Sequence, residues 1–355
     1  MATIAIGGAG GAPSEGVIYS LKCADKTDLI YGLGSEKFDL ILSDADNKFL
    51  IPYASEPNYK EKLLSFLNSY KPNLIHFQND SEIYEVSQIR EEILKTGTKL
   101  FMPDHQVIDT CVHKYKTYLA FKEFGLPVPV NILINDVENL SEAFRTLGDN
   151  SGFIWLRSAG IGGGGKGAVK TNDFEFAKQW ITRFDGWGSF LAAQLLTEKT
   201  ATWQSIWYEG ELVVAQSRAR QGWVHSSRSM SGVTGVTKIG VTIDDSELNS
   251  LAINAVMAVS DKPHGIFGVD FTYDQFGVPN PTEINISRFF TTIRFFTEAG
   301  LNMPNIFKNL ALKAEFPNLD KKINPLTPGL SWIRSMDKTP KLIPFNKIDS
   351  GFKTL

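Results

Sequence analysis

Two carboxylates and an amide late in the chain are spaced as ligands for a hard cation. Glu283 and Asn285 are two apart in a strand-like run, so both side chains point to one face. A hairpin symmetric about Phe276-Gly277 lays Asp270 directly across from Glu283 on the neighbouring strand. Three oxygen donors then converge on one patch. Mg2+ suits such a set, because water and nucleotide phosphates complete its octahedron. The competing reading is a solvated hairpin face. Arg288 just beyond, a cation able to hold the same phosphates, weighs against it.

A second stretch could also do chemistry. The apolar runs Phe153-Ile154-Trp155-Leu156 and Ala168-Val169 enclose Gly160, Gly162, Gly163, Gly164, Gly165 and Gly167, which reads as strand, loop, strand. Each glycine costs about 0.5–1 kcal/mol relative to alanine in ordered structure, so a run of them needs an offsetting role. Bare backbone N–H groups closing over phosphate oxygens, with Arg157 and Lys166 supplying charge at the two ends, would provide one. A surface hairpin tip is the alternative. The loop is not of the Walker type, since Gly167 follows Lys166 where Ser or Thr would hold magnesium.

Other candidates are weaker. Asn79 and Asp80 follow the apolar strand 74–78, at the carboxyl end where open α/β sheets bind ligands, but a helix-capping turn before Glu82 explains them equally well. His76, inside the apolar run, is expected in the core. Gly7, Gly8, Gly10 and Gly11 suggest a dinucleotide turn, yet Pro13 stands where the third glycine of that fingerprint belongs.

The elements that must position these residues fall into two regimes. Strands at 3–6, 28–33, 39–42, 74–78 and 99–102 alternate with helices near 14–23, 59–70 and 82–96, which argues a parallel, doubly wound sheet. A helix over 113–124 ends at Gly125. Long strands at 202–208 and 211–219, joined at Glu209-Gly210, then indicate an antiparallel sheet.

The chain has 355 residues, 43% hydrophobic and 21% charged, as in an ordinary globular enzyme of two or three units. A net charge of −3 gives no basic field for nucleic acid, while leaving room for a local nucleotide pocket. Cys23 and Cys111 have no metal or disulfide spacing and are expected as buried thiols. No run reaches the roughly 18 apolar residues of a membrane span, so the expected compartment is the cytoplasm.

Lys114, Arg157 with its glycine loop, and Asp270…Glu283-x-Asn285 together resemble the ATP-grasp superfamily, in the branch similar to the carbamoyl-phosphate synthase large subunit. The resemblance implies an α/β parallel-sheet domain at 1–108 on the substrate side, two α+β subdomains at 109–190 and 191–325 gripping ATP, and an irregular tail at 326–355. It also implies that Lys114 and Arg157 bind the α/β phosphates and that Gly162, Gly163, Gly164 and Gly165 cover the nucleotide. Gln194 and Leu196 would flank the adenine in the hinge. Asp270, Glu283 and Asn285 would hold one or two Mg2+ ions, with Mn2+ as a substitute. Three features depart from the pattern: Gln194 where the hinge opens with Glu, Ala201 and Thr202 where an acidic ribose contact belongs, and one extra residue between Asn285 and Arg288. On a strand, an extra residue reverses the face unless a bulge restores it.

The implied activity joins a small-molecule carboxylate to an amine through an acyl phosphate, with Arg218, Arg220 and Arg288 steering the acyl phosphate or substrate carboxylate. A kinase acting on an amide, carbamate or hydroxyl and a non-catalytic nucleotide-binding module are the alternatives, and an NAD-dependent dehydrogenase trails far behind. The resemblance allows a homodimer.

Overall fold

A computed structural model describes residues 1–355 except 162–164, 166, 233–235, 336–337 and 349–355. The apolar run Thr3–Ile6 forms β1 inside a parallel sheet, and the glycines behind it turn the chain into helix α1 (Ala12–Ala24). Leu29–Gly34 (β2), Lys37–Leu42 (α2), Asn47–Leu50 (β3), Tyr59–Tyr70 (α3) and Leu74–His76 (β4) complete a sheet of order β3-β2-β1-β4. All its pairs are parallel. The order reverses between β1 and β4, the kind of switch point at which such sheets receive ligands. Asp80–Gln88 (α4) begins there, and Arg90–Lys95 (α5), His105–Val112 (α6) and Lys114–Glu123 (α7) lead out of the domain.

A small antiparallel unit follows: Asn131–Ile134 (β5), Val137–Leu147 (α8), Ile154–Ser158 (β6), Val169–Thr171 (β7), Phe174–Arg183 (α9) and Phe190–Gln194 (β8), with strand order β5-β8-β6-β7. Alternate residues of these strands face α8 and α9, so Ile134, Leu140, Leu156, Ile181 and Phe190 close a core confined to this unit.

The third unit contains Thr200–Tyr208 (β9), Glu211–Trp223 (β10), Thr237–Ile243 (β11), Ser246–Met257 (α10), Gly265–Tyr273 (β12), Pro279–Ile286 (β13), Ile293–Glu298 (α11), Met303–Lys313 (α12), Leu330–Ser335 (β14) and Lys338–Pro344 (β15). Its seven-stranded sheet runs β13-β12-β9-β10-β11-β14-β15. One core continues from the first domain into this sheet, since Ile75, Phe77 and Ile83 share it with Trp203, Phe267 and Ile284. The expected α/β domain followed by two α+β units is therefore present.

Several local expectations are corrected. Residues 39–42 are helical, because that short element packs on the glycine turn so tightly that a Cβ at Gly10 would overlap the Asp39 carbonyl. Residues 99–102 give only an isolated bridge, Leu74 to Lys99. The long helix at 82–96 divides at Ile89. The tail at 326–355 is not irregular, since β14 and β15 extend the large sheet. Its prolines are tolerated because Pro340 and Pro344 lie on the edge strand, where one side needs no ladder hydrogen bonds. Cys111 is buried as expected, but Cys23 is exposed on the last turn of α1. Among the described residues, no helix is long and apolar enough to cross a membrane.

Candidate active site

The register of the large sheet draws a straight row of functional side chains across four strands. Arg218 lies opposite Thr202, Thr202 opposite Asp270, and Asp270 opposite Glu283. Residues directly opposite share a face, so a guanidinium and two carboxylates project from the same side. The next row ends at Asn285, opposite Gly268.

The pairing of Asp270 with Glu283 depends on a β-bulge. Near the turn the partners are Tyr273 with Pro279 and Phe271 with Pro281, one residue out of step with a hairpin symmetric about Phe276-Gly277. Thr282 is the extra residue that restores alignment at Asp270. Its hydroxyl donates to the Asp270 carbonyl at 3.1 Å, and its own carbonyl accepts from Arg157 Nη2 at 3.3 Å.

Each of the three side chains of the patch faces a polar or charged partner. Asp270 Oδ1 accepts from Thr202 Oγ1 at 2.5 Å and from Arg220 Nη2 at 3.4 Å, and Oδ2 accepts from Asn285 Nδ2 at 3.1 Å. Asn285 Oδ1 accepts from Arg288 Nη2. Glu283 faces Arg157 Nη1 at 3.7 Å. Two carboxylates and an amide oxygen are hard donors that fit a six-coordinate cation needing further ligands from water or phosphate. Among the described residues no group of three or more His, Cys, Asp or Glu converges, so no thiolate- or imidazole-rich centre competes with this patch.

The extra residue before Arg288 is absorbed by Ser287, whose φ of 54° is left-handed. The chain thus jogs at the end of β13 and returns Arg288 to the face of Asn285. There Asp80 of α4 grips the guanidinium, at 2.7 Å from Nε and 3.4 Å from Nη2. Burial presses Arg288 downward, but the charge and hydrogen bond of Asp80, together with the charges of Glu283 and Asp270, outweigh it and hold the pKa above the usual guanidinium value. Asn79 and Asp80 thereby separate in role, for Asn79 caps α4 by accepting from Glu82 N at 2.8 Å. His76 is a core residue against Phe307 and Phe289, its pKa pushed down to about 3 by burial.

Arg218 is 1% exposed, with its guanidinium 4.5 Å from the Phe290 ring. Among the described residues its Nε and Nη1 have no hydrogen-bond partner. Burial, and then the like charge of Arg220, push it well below the usual guanidinium range. Arg220 stacks on Trp223 at 4.0 Å and donates to Thr200, Thr202 and Thr237. Arg334 of β14 adds a further cation beside this group, bonded to the carbonyls of Thr237 and Thr291. Sequence reasoning missed Arg334, although Trp332 and Arg334 share strand spacing with an apolar run. It also missed Thr202 as the orienter of Asp270. Ala201 and Thr202 do point to opposite faces, and only the threonine faces Asp270.

Lys114, at the start of α7, lines a cavity of ≈20 Å3 with Asp80, Cys111, Glu283, Asn285 and Arg288. That is room for one water-sized species. A larger cavity of ≈510 Å3 lies between β3 and α3, lined mainly by Phe49, Leu50, Phe66 and Tyr70, with Glu56 and Lys62 as its charged groups and no cluster of cations. Chemistry rather than volume therefore marks the site.

Arg157 projects from β6, and the strand–loop–strand reading around it matches the pairing of β6 with β7. Gly165 and Gly167 are left-handed, with φ of 71° and 66°. Gly162, Gly163, Gly164 and Lys166 lie outside the described residues. Gln194 ends β8 exposed and Leu196 is half-buried in the segment after it, which is fastened where Thr197 N and Oγ1 both donate to the Tyr273 carbonyl.

No protein-family model matches the sequence, and no curated protein does. Solved structures do match. An L-amino acid ligase from Bacillus licheniformis superposes with a TM-score of 0.68 at 11% identity, over 94% of this chain and 79% of that one. A carboxyaminoimidazole ribonucleotide synthase from Aspergillus clavatus, complexed with ATP, gives 0.69 at 14% identity, over 94% and 81%. A biotin carboxylase from Campylobacter jejuni, crystallised as a β-γ-ATP complex, gives 0.69 at 16% identity, over 93% and 74%. Identities this low establish the architecture alone, and on that ground the chain has the ATP-grasp fold.

Proposed function

We propose that this protein is an ATP-dependent ligase that joins a small-molecule carboxylate to an amine. The carboxylate attacks the γ-phosphorus of ATP and ADP leaves. The amine then displaces phosphate from the acyl phosphate, giving an amide and inorganic phosphate. The observation that carries this reading is Arg218, a buried guanidinium with donors unmet among the described residues, on the same sheet face as Asp270 and Glu283. An unpaired buried cation is costly, and an anionic reactant meeting those donors removes the cost. The names of the structural neighbours, a ligase, a synthase and a carboxylase, agree with this class of chemistry.

In this reading Asp270, Glu283 and Asn285 hold Mg2+, which would neutralise phosphate oxygens as a Lewis acid. Thr202 and Arg220 orient Asp270. Lys114 and Arg157 contact the phosphates, and the backbone around Gly165 and the hinge at Gln194 and Leu196 enclose the nucleotide. Arg218, Arg220 and Arg288 position the acid and the charge that develops on it. Positioning and charge neutralisation account for the catalysis, so no general-base triad is required.

A pooled screen of organic acids and amino acids for ADP formation, followed by mass spectrometry of the product, tests the proposal. The expected result is ADP and free phosphate in equal amounts, with both acid and amine required, and an amide as the product. ADP formation without free phosphate would replace the ligase with a kinase.

A further inference from the structure

Each candidate cation ligand is covered by a different guanidinium: Glu283 by Arg157, Asp270 by Arg220, and Asn285 by Arg288. The three are not held alike. Arg288 is gripped by both carboxylate oxygens of Asp80. Arg220 donates to three threonines and lies on Trp223. Among the described residues Arg157 makes one hydrogen bond, at 3.3 Å to the bulged Thr282 carbonyl, and meets Glu283 beyond hydrogen-bond length. Its Nε is buried with no partner among the described residues. A guanidinium with unmet donors loses little by moving. Of the three, it alone comes from the small unit, whose core is separate from that of the large sheet.

We infer that Arg157 is an exchange residue: in the metal-free chain its guanidinium stands in for the cation at Glu283, and cation and nucleotide together transfer it to the phosphates. This rests on the ligase reading and adds a sign to it. Arg157 and a divalent cation compete for one carboxylate, because two positive charges cannot share it cheaply. Arg157 and the nucleotide are partners through opposite charge. Removing the arginine must therefore move the two affinities in opposite directions, whereas a residue that only shapes the site would weaken both.

The test uses the full chain and two ligands. Mn2+ alone is titrated without nucleotide, free ion being counted by electron paramagnetic resonance, and MgADP is titrated by calorimetry. Arg157→Ala should bind Mn2+ alone about two- to fivefold more tightly than wild type, the scale of one partly exposed ion pair. The same variant should bind MgADP at least about tenfold more weakly. Arg157→Gln, which removes the charge but keeps a polar side chain, should repeat both shifts and serves if the alanine variant does not fold. Mn2+ binding that is unchanged or weaker in both variants, with wild-type MgADP binding intact, overturns the exchange and leaves the ligase reading standing. Absence of MgADP binding by the wild type overturns both.

Discussion

Replacing Arg218 by methionine should make the unliganded protein more stable and nearly inactive. The arginine is 1% exposed, and two of its nitrogens lack partners among the described residues. Each unmet buried donor costs about 1–3 kcal/mol. The Phe290 ring returns roughly 0.5–2 kcal/mol through its cation–π contact. Methionine keeps much of the volume and carries no charge, so the net gain should be about 1–4 kcal/mol, as when buried ions give way to apolar groups. At this chain length that is a rise in Tm of roughly 1–5 °C. Turnover should fall about 100- to 1,000-fold, the usual loss for one preorganised charge at a reacting centre. Scanning fluorimetry without ligand and ADP release with the screened substrates measure the two effects. A lower Tm, or turnover within tenfold of wild type, would refute the reasoning.

Three further outcomes are expected. Glu283→Ala should abolish turnover and leave the far-ultraviolet circular dichroism unchanged, since the side chain is partly exposed and packs no core; undiminished ADP release would remove it from the cation patch. Thr202→Val, nearly isosteric, frees Asp270 Oδ1 from its 2.5 Å hydrogen bond and should raise the Mg2+ concentration needed for half-maximal turnover about tenfold, with kcat at saturating Mg2+ much less changed. Glu82 is buried beneath the N-terminal glycine turn, and burial raises its pKa from 4.5 to about 7 against opposing hydrogen bonds from Tyr59 and Asn79. The folded state then binds more protons than the unfolded one between pH 4.5 and about 7, so this group's contribution falls by roughly 3 kcal/mol across that window as pH rises. Glu82→Gln should flatten the dependence and raise Tm most at pH 8, which a series of melts from pH 5 to 8 would check.

The sequence made the placing of the candidate cation ligands more legible than some of the elements around them. Two-residue spacing on a strand placed Glu283 and Asn285 on one face, and hairpin symmetry placed Asp270 opposite, although the agreement at Asp270 required a bulge at Thr282 that symmetry alone does not contain. Asp80 was visible as a polar residue at a strand end, but its partner Arg288 lies far along the chain and spacing cannot show that pairing. Residues 39–42 misled because four residues cannot separate a period of 2 from one of 3.6, and contact with Gly10 decided the matter. Prolines hid β14 and β15, because their cost depends on whether a strand is central or at an edge, and that is a property of the whole sheet. With those strands hidden, Arg334 was hidden too.

Ser287 bears on the residue spacing that such a site can carry. One residue in a left-handed conformation, at a cost of about 1–2 kcal/mol, takes up an insertion that would otherwise turn Arg288 to the opposite face. What the arrangement needs is the place of the guanidinium in space, and the left-handed residue makes that compatible with two residues between Asn285 and Arg288. Glycine and asparagine would accept such backbone readily at position 287, whereas valine and isoleucine would not. A search that required one residue fewer at this point would pass over the chain, even though its arginine still meets its asparagine.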